Sequence, residues 1–85
     1  MKNTIPLTEL ALNLSGKIIS IDVSPNIKRR LLDLGIIPNT SITPVFKSTG
    51  GDPIAYEIRG TVLAIRNQDA ENILVSLWET TWNIM

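Results

Sequence analysis

Between Ser24 and Pro38 the chain spells out one helix with its own start and stop, and on either side the apolar residues alternate instead. Ser24 stands at the N-cap position, and Pro25 follows at the first helical position, where its missing N–H costs nothing. Ile27, Leu31 and Leu34 then recur at i, i+4 and i+7, which predicts one stripe turned toward a core. Gly35 supplies a left-handed stop and Pro38 forbids continuation. One α-helix over 25–34, set among short segments of period two, predicts a mostly β domain.

The flanking segments supply about five strands. Thr8 to Leu12 can form a short helical turn that Ser15-Gly16 ends. Lys17 to Val23 reads as a strand with Ile19, Ile21 and Val23 on one face, although Ile18 breaks the alternation. Ser41 to Ser48 carries Ile42, Val45 and Phe46, and Pro44 within it requires an edge or a bulge. Thr49 to Pro53 is a turn cluster. Ile54, Tyr56 and Ile58 alternate with Ala55, Glu57 and Arg59, so Tyr56 should be buried. Arg59-Gly60 suits a two-residue hairpin turn, from which Thr61 to Arg66 returns. Asn67 can cap a single turn through Ala70, and Ile73 to Leu77 closes the set. Mostly antiparallel strands around one inserted helix predict a small, partly open β-barrel.

Composition removes whole classes of function. Eighty-five residues make one domain, and 44% hydrophobic against 19% charged residues excludes intrinsic disorder. The chain has no His and no Cys, which excludes zinc fingers, iron–sulfur ligation, thiol nucleophiles and imidazole acid–base catalysis. Disulfides are impossible, so a reducing compartment suits it. Eight basic and eight acidic residues cancel, which argues against a dedicated nucleic-acid binder. No apolar run is long enough to span or insert in a membrane, and Met1 to Pro6 lacks a signal-peptide core. A cytoplasmic, non-enzymatic protein is expected.

The segment Arg29-Arg30-Leu31-Leu32-Asp33-Leu34-Gly35-Ile36-Ile37-Pro38 is followed by Thr40-Ser41-Ile42-Thr43. Gly51-Asp52-Pro53-Ile54-Ala55-Tyr56-Glu57-Ile58-Arg59-Gly60, Ala64-Ile65-Arg66, Asp69-Ala70 and Ile73 come after it in order. This ordered set closely resembles the ferrous iron transport protein A (FeoA) family, over about Leu7 to Leu77. The resemblance implies an SH3-like β-barrel in the bacterial cytoplasm, acting as an adaptor of the membrane ferrous iron transporter FeoB, which carries a cytosolic guanine-nucleotide-binding domain. A similar domain closes some iron- and manganese-dependent repressors, but no helix-turn-helix precedes it here. A stand-alone adaptor is therefore expected over 1–77, with 78–85 as a C-terminal extension. Asn39 replaces the family's usual Gly after Pro38, and Asn tolerates left-handed geometry.

Five residues are candidates for partner binding: Lys28, Arg29 and Leu32 on the helix, Gly51 and Asp52 in the turn cluster. Lys28-Arg29-Arg30 could grip an acidic partner; the alternative reading is a regulator-type or nucleic-acid-binding module using the same triplet. Leu32 lies about 130° around the helix from the stripe, so it is either covered by another element or free for a partner. Gly50-Gly51-Asp52-Pro53 is a hairpin loop and not a phosphate cradle, because no Gly-Lys-Ser/Thr and no helix follow. Asp22, Asp33, Asp52, Glu57 and Asp69 are scattered carboxylates without close ligand spacing, so no metal and no cofactor is expected. In the extension, Trp78, Trp82 and Met85 fall at i, i+4 and i+7, which predicts a tail that docks, with self-association as one route.

Overall fold

A computed structural model describes residues 4–77. Six strands form one open sheet, with every neighbouring pair antiparallel in the order β1-β6-β2-β3-β4-β5. They are β1 (Thr4–Pro6), β2 (Gly16–Ile21), β3 (Ser41–Lys47), β4 (Ile54–Ile58), β5 (Thr61–Ile65) and β6 (Ile73–Ser76). Helix α1 (Pro25–Asp33) follows β2, a short α2 (Asn67–Ala70) follows β5, and a single 3-10 turn occupies Leu7–Glu9. Leu7, Ile18, Ile42, Tyr56, Ile58, Ile73 and Val75 share one buried cluster with Leu31 of α1, so the sheet must wrap around a common core. The mostly β architecture with one inserted helix agrees with the sequence.

The sixth strand is an addition. Thr4-Ile5-Pro6 is too short to show a period, yet Ile5 pairs with Val75 and brings the start of the chain alongside β6. The face expected for β2 is also corrected: Ile18 and Ile21 are buried and Ile19 is exposed. The cause is a bulge between Ile18 and Ser20 in the pairing with β6, which adds a residue and re-aims the side chains. Pro44 sits at a second bulge, between Pro44 and Phe46, as its missing N–H demands. There the carbonyl of Pro44 accepts the Asn13 N–H at 2.6 Å, and Phe46 turns outward.

β2 and β3 pair at Gly16–Ile42 and Lys17–Ser41, and the Ile18 N–H bond to the Thr40 carbonyl (2.9 Å) and the Asn39 N–H bond to the Ile18 carbonyl (2.7 Å) extend the join toward the start of β3. Gly16 is pressed against the core there, since a Cβ on it would lie 3.1 Å from Val75 Cβ and 3.2 Å from Leu10 Cδ2.

Helix α1 ends as the sequence predicts. Gly35 adopts φ 91°, its N–H bonds to the Leu32 carbonyl at 3.0 Å, and the Ile36 N–H reaches the Leu31 carbonyl at 2.9 Å. These two bonds make a Schellman motif, with Ile36 and Leu31 both buried as its apolar contact. At the other end Ser24 has extended backbone, but its side chain makes no capping bond. Arg59 and Gly60 take φ 53° and 81°, so the β4–β5 hairpin closes with both turn residues left-handed, as a type I′ turn requires.

Candidate interaction surface

The predicted stripe of α1 exists, but it forms the wall of an open groove. Leu31 is buried, Ile27 is half-buried, and Leu34 is 51% exposed, contrary to the expectation that all three face a closed core. The reason is spatial: Ile27, Arg30, Leu31 and Leu34 face β5 and α2 across a gap of about 290 Å³, lined opposite by Leu63, Ala64, Ile65, Arg66, Gln68 and Asp69. Leu32 lies around the helix from this wall and, among the described residues, is left 43% exposed. Lys28, Arg29 and Arg30 are exposed as well.

The other half of the candidate set is a built turn. The Gly51 N–H bonds to the Ser48 carbonyl at 2.7 Å, and the Ser48 hydroxyl donates to the Pro53 carbonyl. Gly50 and Gly51 take φ 89° and 85°, and the Asp52–Pro53 peptide is cis. Asp52 reaches across the fold: its Oδ1 accepts the backbone N–H of Asn67 at 3.0 Å, satisfying a free donor at the start of α2. Asn67 returns the contact through its side-chain amide, which donates to the Gly51 carbonyl at 3.0 Å. Asn67 is thus a clamp on the turn and not the cap of α2, a place taken by Arg66.

Residues 66–69 therefore connect the two halves: Asn67 holds Gly51 and Asp52, while Gln68 and Asp69 face α1 across the groove. Close under the turn lies Tyr56, fully buried, its phenol pushed up to about 12 by burial first and then by the Asp52 charge. Sequence reasoning missed the groove residues Leu63 and Arg66, and it placed Leu34 on a core stripe and Arg30 in the basic triplet without joining them to a groove. It also missed Phe46 and Val62, which are 64% and 59% exposed on the outer face of the sheet.

Among the described residues no three Asp, Glu, His or Cys side chains gather where a metal ion could sit, and no helix is long and apolar enough to cross a membrane. One antiparallel sheet wrapped around a common core, with the long helix α1 inserted after β2, is a fold of SH3-like type. A family model for the FeoA domain matches residues 5–77, and the chain belongs to the FeoA family.

Solved structures agree. The FeoA protein of Chlorobium tepidum is 31% identical, with TM-score 0.81, covering 92% of this chain and 70% of that one. A FeoA-like protein of Clostridium acetobutylicum is 35% identical, with TM-score 0.79, over 92% of this chain and 91% of that one. The Stenotrophomonas maltophilia FeoA, solved with zinc and described as an SH3 domain protein and a candidate activating factor for ferrous iron transport, is 32% identical. Its TM-score is 0.71, covering 82% of this chain and 87% of that one. A manganese-dependent transcriptional repressor shares the fold at TM-score 0.80 but only 15% identity, so that likeness carries no function. The family places the chain in ferrous iron transport.

Proposed function

We propose that this chain is a cytoplasmic, non-enzymatic adaptor that binds and modulates a FeoB-like ferrous iron transporter. The observation that carries the reading is the family match over 5–77, joined to relatives described as ferrous iron transport proteins. The mechanism is differential affinity: a rigid domain that binds one conformation of the transporter's cytosolic part better than another shifts its equilibrium by that difference. On this side Lys28, Arg29 and Leu32 offer an exposed cationic and apolar helix face, and Gly51 and Asp52 offer the clamped turn.

The test is direct binding of the full chain to the transporter's isolated cytosolic domain, with iron uptake measured in parallel. Reversing charge with Lys28→Glu and Arg29→Glu should weaken association and uptake together. Thermal stability should stay within about 0.5 kcal/mol, as at ordinary surface sites. Normal binding and uptake in the double variant would remove this face from the proposal.

A further inference from the structure

Among the described residues, β5 stands at the end of the sheet order and pairs with β4 alone. In a two-residue hairpin closed by Ile58 and Thr61, the residues Thr61, Leu63 and Ile65 exchange hydrogen bonds with β4. Val62 and Ala64 therefore turn their N–H and C=O groups away from the sheet, and both residues are exposed. Natural edges are usually blunted by charge or proline; Thr61-Val62-Leu63-Ala64-Ile65 carries neither.

The groove described above runs along this edge. Residues of both parities, Leu63 and Ile65 as well as Ala64 and Arg66, line it, so it opens beside the strand and not over one face. Its 290 Å³ falls at the low end of ligand pockets (about 300–1,000 Å³) and admits a few side chains. On the outer face Phe46, Ala55 and Ala64 stand in one cross-strand row, while Val62, next to Ala64 along β5, pairs with exposed Glu57 of β4. A strand laid against β5 would thus meet apolar side chains of β5 itself on both of its faces, with the one acid of the outer face a strand further in. Its ends would meet cations: Arg59 and Arg66 are exposed at the two ends of β5, and Arg30 faces it from α1, against the single acid Asp69 in the groove.

We propose that this edge takes up an extended peptide segment of a protein partner as a seventh strand, apolar at its centre and carrying carboxylates at its ends. The inference rests on the adaptor reading and gives the partner's contact its chemistry. Main-chain bonds to Val62 and Ala64 supply affinity; the groove, the Phe46 row and the flanking arginines supply selection. A second copy of this chain is the poorer occupant. Its own β5 is flanked by Arg59 and Arg66 and brings no carboxylate to meet them.

The test titrates the isotope-labelled full chain with a synthetic peptide of valines and threonines bearing a glutamate at each end. Controls carry lysine ends, or N-methyl groups on the amides that would face β5. Binding should protect the Val62 and Ala64 amides from exchange, and the N-methyl and lysine-ended peptides should bind about tenfold more weakly or worse. Ala64→Pro removes an N–H the fold does not use and is tolerated on an edge strand, so it should abolish binding with little change in Tm. Arg66→Glu serves as the second variant and should reverse the preference between glutamate and lysine ends. Equal binding of all three peptides, or shifts mapping away from β5, would overturn the proposal, as would protection of Val62 and Ala64 by self-association alone. If the transporter's cytosolic domain binds wild type and Ala64→Pro equally, the edge is refuted while the adaptor reading stands. If the peptide binds the edge but that domain does not bind wild type, the edge stands and the adaptor reading falls.

Discussion

The chain has one tyrosine, and it is the buried Tyr56, so phenolate absorbance in the near ultraviolet reports a single site. Burial disfavours the charged phenolate, and the Asp52 carboxylate nearby adds to the same direction; together they hold the midpoint at about 12 instead of 10.0. The folded pKa lies above the unfolded one, so the unfolded chain releases its proton first. The stability involved is therefore fully present below pH 10 and is lost as pH rises toward 12. At about 1.4 kcal/mol per pH unit, the interval from 10.0 to about 12 makes this roughly 2–3 kcal/mol. The assay is a rapid-mixing alkaline titration of native and urea-unfolded protein, read before the native chain opens. Asp52→Asn should lower the native midpoint part of the way and leave it above the unfolded value, because burial is the larger cause. A native midpoint equal to the unfolded one would refute the buried placement of Tyr56. A midpoint unmoved by Asp52→Asn would refute the charge contribution.

Four further outcomes are expected. Gly60→Val should destabilise by more than about 1 kcal/mol, since a β-branched residue enters φ 81° with difficulty; an unchanged Tm would show another turn type. Gly16→Ala should cost about 1–3 kcal/mol, because its methyl would press on Val75 at 3.1 Å; a neutral result in denaturant melts would mean the β2–β6 contact gives way freely. Asn67→Ala should cost about 1 kcal/mol and loosen the turn, visible as faster exchange of the Gly51 amide, and unaltered exchange would deny the clamp. Truncation after Leu77 should lower Tm or delay elution if the tail carrying Trp78 and Trp82, which lies outside the described residues, docks or self-associates; coincident melts and elution profiles would dismiss that idea.

What the sequence disclosed follows from where information is local. The end of α1 and the β4–β5 turn depend on Gly35, Gly60 and their neighbours, residue types that only a few backbone conformations explain, and both were legible. The face of β2 was not, because its bulge is set by the partner strand, and one inserted residue reverses every inference drawn from alternation, whereas the bulge of β3 was announced by Pro44. β1 was missed because three residues carry no period. The clamp between Asp52 and Asn67 spans 15 residues and leaves no trace in either neighbourhood. At the candidate surface the exposed cations could be read directly, whereas the groove required knowing that β5, not the core, faces the α1 stripe.

The narrow join between β2 and β3 has a dynamic consequence. With two ladder pairs, Gly16–Ile42 and Lys17–Ser41, and the bonds of Ile18 to Asn39 and Thr40 as its backbone seam, the sheet divides into a β1-β6-β2 half, drawn from both ends of the described chain, and a β3-β4-β5 meander of neighbouring segments. The meander closes through short loops and costs little chain entropy to assemble, while the other half needs contacts between residues some 70 positions apart, such as Thr4 with Ser76. Two such halves open as separate cooperative units, so native-state hydrogen exchange should find the meander amides grouped at one opening free energy and those of β1, β2 and β6 at another.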